Sequence, residues 1–189
     1  MTIEPTAIDG LLIIRPQRFG DDRGYFAETF RASNLGKHPP HFVQDNESKS
    51  RKAVLRGLHF QAPPHAQGKL VSVVAGSVYD VVLDIRKNSP TYGQWHGEVL
   101  SADNMTRLWI PEGFAHGFLT LEDNSVFQYK CSAYYHKESE GCIDYDDAML
   151  AVDWKAAWDQ HGSGDFTPLV SEKDKDGSAF ASFQSPFHS

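Results

Sequence analysis

The chain has 189 residues, 40% of them hydrophobic, and a formal net charge of −7 at pH 7. That length supports one well-buried domain with nothing that forces a second, and the acidic balance excludes a broad electrostatic attraction to nucleic acid or an anionic membrane. An anionic ligand would need a local cationic pocket. No apolar run approaches the roughly 20 residues that span a bilayer, and Met1-Thr2-Ile3-Glu4-Pro5 lacks a basic region ahead of an apolar stretch. The expectation is a cytoplasmic protein with no membrane partner.

Leu11 to Arg15 is a short apolar run that reads as a strand, ended by Pro16, which cannot donate to a ladder. Asp21-Asp22-Arg23-Gly24 supplies a turn. Tyr25 to Phe30 then resumes a strand on which Phe26, Glu28 and Phe30 share one face, either as a solvated edge or as a ligand-facing strand with Glu28 and Arg23 reaching a polar substrate. After Pro39 and Pro40, Phe42 to Ser48 places the uncharged amides of Gln44 and Asn46 on one face, a pairing suited to hydrogen bonding with a sugar or a base. Ala53 to Gln61, Leu70 to Ala75, Val78 to Ile85, Glu98 to Leu100, Arg107 to Ile110, Gly117 to Leu121 and Ser125 to Tyr129 follow as short strand-like runs, most separated by Gly, Pro, Asn or Asp. This spacing predicts an all-β closed barrel or two-sheet sandwich. Helix is expected mainly after Asp147, in short turns at Ala148 to Leu150 and Trp154 to Trp158. The polar, Ser/Gly-rich segment from Lys173 to Ser189 predicts weak order beyond about residue 175. Cys131 and Cys142 lack the paired spacing of a zinc or redox motif and are expected as buried free thiols.

The chemistry centres on Arg56-Gly57-Leu58-His59-Phe60-Gln61. Alternation puts Gly57, His59 and Gln61 on one face and Leu58 and Phe60 on the other, which leaves His59 open as a general base, a metal ligand or a surface residue. A second constellation, Pro111-Glu112-Gly113-Phe114-Ala115-His116, is similar to the second motif of cupins, whose histidine often binds metal. The first cupin motif should offer His-x-His, but here its second member is Gln61. A divalent ion would be left short of the three protein ligands of an open catalytic site, so no metal is expected.

Seven ordered motifs carry a more specific likeness. They are Asp22-Arg23-Gly24 with Phe26 and Glu28; Gln44-Asp45-Asn46; Arg56 to Gln61; Gln67 to Leu70; Asp80 to Arg86 with Ser89 to Gly93; Pro111 to Phe118; and Tyr129-Lys130 with Tyr134-Tyr135 and Glu140-Gly141. In order and spacing they resemble the dTDP-4-dehydrorhamnose 3,5-epimerase family over about residues 10 to 155. The resemblance implies a cupin jelly roll with a few short helices, no metal or other cofactor, and a homodimer with strand exchange in which Arg23 is a cross-subunit ligand. It also implies epimerisation of a nucleotide-linked 4-keto-6-deoxy sugar at C3 and C5, with a 3-epimerase or a non-catalytic sugar-binding cupin as alternatives.

Proton removal next to a ketone needs a base on one face, a donor or cation for the enolate oxygen, and an acid on the other face. The family implies His59 as base, Tyr129 as acid and Lys69 at the oxyanion. Its Leu-x-Ser-x-Lys-Asp segment is matched by Leu169 to Asp174 and gives Asp174 the task of orienting the base. It implies Arg23, Phe26, Glu28, Gln44, Asp45, Asn46, Arg56, Gln61, His116, Tyr135, Glu140 and Lys173 as substrate-binding residues, with Arg56 and Lys173 the cations for the diphosphate and nearby groups. Two departures stand out: Asp144 to Asp147 replaces a Trp-Asn-Asp-Pro-like segment, and Trp158 to Gly164 looks like an insertion. His65, His96, His136 and His161 receive no role.

Overall fold

The computed structural model describes residues 1–36 and 39–188. Its strands are β1 (Thr2–Pro5), β2 (Leu12–Arg15), β3 (Arg18–Asp21), β4 (Gly24–Ala27), β5 (Gln44–Ser50), β6 (Val54–Gln61), β7 (Lys69–Ala75), β8 (Ser77–Asp84), β9 (Trp95–Ser101), β10 (Arg107–Ile110), β11 (Phe114–Thr120), β12 (Ser125–Cys131), β13 (Glu140–Cys142) and β14 (Leu169–Val170). Two helices, α1 (Trp154–His161) and α2 (Glu172–Lys175), follow the barrel strands. The six-stranded sheet runs β1-β2-β10-β7-β12-β5 and the five-stranded sheet β13-β6-β11-β8-β9, with β14 added to β6. They form a cupin-type jelly roll. No helix among the described residues is long and apolar enough to cross a membrane.

Alternation along the strands builds two apolar layers. Val71, Val73, Val78, Val82, Leu108, Phe118 and Phe127 meet between the sheets. The outer face of the five-stranded sheet, carrying Leu58, Phe60, Val81, Leu83 and Leu119, is covered by Trp154 and Trp158 of α1 and by Phe187. Asp153 caps α1 by accepting from the Ala156 N–H at 2.8 Å, and the indoles of Trp154 and Trp158 donate to the carbonyls of Tyr145 and Gly164. The suspected insertion thus supplies Trp158 to the outer core.

The expectation of weak order after about residue 175 is corrected for the described part of that segment; Ser189 lies outside the described residues. Composition hid three aromatics at useful spacing. Phe180 and Phe183 pack on the outer core, Phe187 is buried against Phe60 at 6.2 Å between ring centroids, and the Phe187 carbonyl accepts from the Lys87 N–H. The strand expected over Tyr25 to Phe30 is also shorter. It stops at Ala27 and, among the described residues, pairs only with β3, as a hairpin outside both sheets. Of the two cysteines, both free, Cys131 is buried and Cys142 only half-buried.

A bulge in β6 has the largest effect on the site. His116 pairs with His59 and Phe118 with Arg56, so β6 spends one more residue than β11 between these pairs. Gly57 occupies the bulge with φ +120, and a Cβ there would stand 2.5 Å from Gly117 Cα. Only glycine fits this approach. The extra residue changes parity, so Arg56 and His59 line one cavity, whereas strict alternation would put them on opposite faces.

Candidate active site

The cleft lies between the two sheets. From the six-stranded sheet, β5 contributes Gln44 and Asn46, β12 Tyr129, and β7 Lys69; in the ladders Tyr129 stands opposite Asn46, and Cys131 stands between Gln44 and Lys69. From the five-stranded sheet come His59 and Gln61 of β6, His116 of β11 and Glu140 of β13. Two adjoining cavities of about 290 and 160 Å³ share His59, Lys69 and Tyr129; the larger is lined also by Gln44, Asn46, Tyr135 and Glu140, the smaller by Arg56 and His116. An imidazole and a phenol therefore face one space from opposite walls, with an amine beside them.

His59 Nε2 is 2.6 Å from Asp174 Oδ1, with the oxygen off the ring's N–H axis, so the approach is electrostatic rather than an aligned hydrogen bond. With Nε2 buried against the carboxylate, Nδ1 is the ring nitrogen left to take a proton. Asp174 sits in α2, where Ser171 caps the helix: Ser171 Oγ donates to Asp174 Oδ2 at 2.6 Å and accepts from the Asp174 N–H. The Gly57 N–H, freed from the ladder by the bulge, donates to Oδ1 at 3.2 Å. Burial alone would raise the Asp174 pKa, but His59, Ser171 and Gly57 together hold it at about 2. α2 thus sets Asp174 against His59 and Lys173 against Glu140.

Burial lowers the Lys69 pKa, and the surrounding Cys131, Asp80 and Glu140 act the other way. Tyr129 is raised, chiefly by burial, with Asn46 and Arg56 acting the other way. At the rim, Glu140 joins two elements: Lys173 Nζ lies 2.6 Å from Oε1 and the Tyr135 hydroxyl donates to Oε2 at 2.9 Å. Burial pushes Glu140 up, but these two partners leave it below its ordinary value. His116 Nε2 is 2.8 Å from Oδ2 of Asp80, which is fully buried.

Five of the expected site residues stand elsewhere or do something else. Gln61 lines the cleft, but its amide donates to the carbonyls of His65 and Tyr134 and accepts from the His136 N–H, so it braces two loops instead of offering a free group to a ligand. Asp45 points to the outer face of its sheet, paired with Lys130 at 3.0 Å, because alternation on β5 turns it away from Gln44 and Asn46. Arg23 and Phe26 lie on the β3–β4 hairpin and Glu28 just beyond it; Arg23 pairs with Asp21, Glu28 with Arg31, and none of the three lines the cleft of its own chain. Sequence reasoning missed Ser171 and Asp80 as supports. The Ser-x-x-Asp cap and the acid at an inward position of a Val-rich strand were the available signals.

His59, Cys142 and Asp174 bring ligand atoms within 4.8 Å of one another, which could hold a metal ion. The donor set fits one poorly. Burial pushes the Cys142 thiol up to about 12, and both Asp174 oxygens are taken.

The family model of dTDP-4-dehydrorhamnose 3,5-epimerase matches residues 5–182. The chain is 52% identical over 157 residues to dTDP-4-dehydrorhamnose 3,5-epimerase of Escherichia coli K12, covering 82% of this chain and 85% of the relative. Its fold is similar, with a TM-score of 0.87 and 47% identity, to the crystal structure of dTDP-6-deoxy-D-glucose-3,5-epimerase from Legionella pneumophila in complex with dTDP-4-keto-L-rhamnose, covering 97% and 94% of the two chains. The dTDP-4-dehydrorhamnose 3,5-epimerase of Elizabethkingia anophelis gives 0.87 and 44%, covering 96% and 97%.

Proposed function

Because the chain belongs to the dTDP-4-dehydrorhamnose 3,5-epimerase family, we propose that its cleft converts dTDP-4-dehydro-6-deoxy-D-glucose to dTDP-4-dehydro-L-rhamnose by metal-independent proton abstraction and return at C3 and C5. The observation that carries this reading is the placement of His59 and Tyr129 on opposite walls of one cleft with Lys69 beside them. His59 Nδ1 removes the proton next to the C4 ketone, and the Asp174 carboxylate stabilises the imidazolium that forms. The C4 oxygen becomes an enolate. Lys69, whose ammonium is already destabilised by burial, is a strong donor to that oxygen. Tyr129, held protonated by its raised pKa, delivers a proton to the opposite face and inverts the centre. The enolate carbon is basic enough for a phenol to serve as acid.

Arg56, His116, Lys173, Gln44, Asn46, Tyr135 and Glu140 bind the sugar and the nucleotide around this centre. Arg56 is available to the diphosphate, since its one side-chain bond among the described residues is a 3.3 Å contact with Ser50. The hairpin supports a homodimer with strand exchange. Phe19, Tyr25 and Phe26 are each more than half exposed on it, and Arg23 and Glu28 stand beside them, a surface suited to completing the cleft of a second copy. A cytoplasmic site of action accords with the two free thiols and a nucleotide-sugar substrate.

Incubation with the 4-keto-6-deoxyglucose nucleotide in deuterated water, read by NMR at C3 and C5, tests the reaction and its two faces. Native protein is expected to place deuterium at both inverted centres; exchange confined to C3 identifies a 3-epimerase instead. His59→Ala should abolish both exchange and inversion at C3. Tyr129→Phe keeps the base and Lys69, so it should exchange at C3 with configuration retained while inversion falls on the order of a hundredfold. Wild-type inversion by Tyr129→Phe would return Tyr129 to a structural role.

A further inference from the structure

The main chain from Ser132 to His136 leaves β12 and carries Tyr135 to the mouth of the larger cavity. None of these five residues is buried, and no strand ladder among the described residues includes them. Side chains from the barrel hold this segment instead, one residue after another. Ser132 Oγ accepts from the Gly68 N–H at 2.8 Å, the Ala133 carbonyl from Gln67 Nε2 at 2.7 Å, and the Tyr134 carbonyl from Gln61 Nε2 at 3.0 Å. The N–H groups of Tyr135 and His136 then donate to the side-chain oxygens of Gln44 and Gln61, at 2.9 and 2.7 Å. Three glutamines stand in for a partner strand.

Gln61 makes two of these bonds and a third elsewhere. It closes β6, is 5% exposed, and also donates to the His65 carbonyl, so one amide ties the segment after β6 to the segment after β12. Both of its N–H donors are then spent on loop carbonyls. The two segments meet again where the His65 and His136 rings stack, 3.7 Å between centroids and 11° between planes, and where the Ala62 N–H donates to the Ser139 carbonyl at 2.7 Å. A segment that buries so little has only such bonds to offset the entropy of a single conformation. What that conformation fixes is Tyr135, whose hydroxyl donates to Glu140 Oε2 at 2.9 Å on the cavity wall.

We propose that Gln61 is a positioning residue for substrate: by pinning residues 134 and 136 it presents Tyr135 to the nucleotide-sugar in a conformation set before binding. This rests on the reading of Tyr135 as a substrate-binding residue. Apparent affinity falls with the fraction of molecules that hold the binding conformation. Gln61→Met keeps the length of the side chain and removes all three bonds. Its KM for the 4-keto-6-deoxyglucose nucleotide should rise roughly tenfold, the effect of a segment in place about a tenth of the time, while kcat falls by a smaller factor because His59, Lys69 and Tyr129 are retained. In a Tyr135→Ala background, Gln61→Met should add little further to KM, since the group it positions is already gone. An unchanged KM, a loss confined to kcat, or full additivity with Tyr135→Ala overturns the proposal and leaves Gln61 a brace of the barrel alone.

Should Gln61→Met fail to fold, hydrogen exchange of single amides in the native, ligand-free protein decides. The His136 N–H, whose acceptor is Gln61, and the Tyr135 N–H beside it should exchange more than roughly a hundredfold slower than in an unstructured peptide. Exchange of the His136 N–H at the unstructured rate overturns the proposal, because the segment would then not be set before the ligand arrives. That measurement needs no turnover, so absence of epimerase activity in the native protein would sink the functional reading without touching the test of Gln61.

Discussion

Asp174→Asn isolates the charge of the His59–Asp174 pair while leaving its shape. The amide can still accept from Gly57 and donate to Ser171 Oγ, so packing changes little and the loss is electrostatic. The native carboxyl is held at about 2 against an ordinary 3.8, a depression worth on the order of 2 kcal/mol of folding free energy, shared among His59, Ser171 and Gly57. Because the folded value is lower than the unfolded one, this stability is fully present above pH 3.8 and is lost as pH falls through about 2. The native protein should therefore exceed Asp174→Asn by about 2 kcal/mol in urea unfolding at pH 7 and by progressively less below pH 4, at one protein concentration throughout. Activity should fall on the order of a hundredfold at neutral pH, since the imidazolium formed on proton removal loses its counter-charge. A stability difference that stays constant between pH 7 and pH 3 would refute the argument, because it would show that geometry rather than charge couples Asp174 to its partners.

The hairpin proposal predicts that inactive His59→Asn protein mixed with inactive Arg23→Ala protein recovers activity, as some clefts regain both native residues; proven subunit exchange without recovery counts against a shared site. Turnover should survive exhaustive treatment with EDTA, whereas loss restored by one metal ion would assign a role to the His59, Cys142 and Asp174 cluster. Phe187→Ala should cost about 3 kcal/mol, the scale of a buried phenylalanine removed from a packed layer, and an unchanged urea midpoint would show that the segment after residue 175 is not held down by that contact.

The sequence announced most of the barrel because its strands are short, β-branched and punctuated by turn residues. It misled where pairing, not pattern, decides the outcome. Nothing in Ala27-Glu28-Thr29 says that the ladder of β4 ends there, since β3 is only four residues long and the hairpin has no further strand neighbour among the described residues. Arg56 was found through resemblance, whereas alternation alone would have turned it away from His59; the bulge that reverses this depends on the close approach of Gly57 to Gly117 across two strands. Gln61 and Asp45 erred differently. Residue type suggested a ligand for each, and the structure gave one to loop backbones and the other to a surface lysine.

The unpaired Gly57 N–H in the bulge also sets an order of events during synthesis. It waits for a carboxylate 117 residues further along the chain, and until α2 docks, the cleft holds an imidazole without its counter-charge and a buried donor without an acceptor. A ribosome still enclosing the segment beyond Val170 would carry a nascent chain whose barrel strands have all emerged but whose base lacks its carboxylate partner. Full activity would then arrive only after α2 is released, so its rise in a translation reaction would mark the docking of one short helix and not the closure of the barrel.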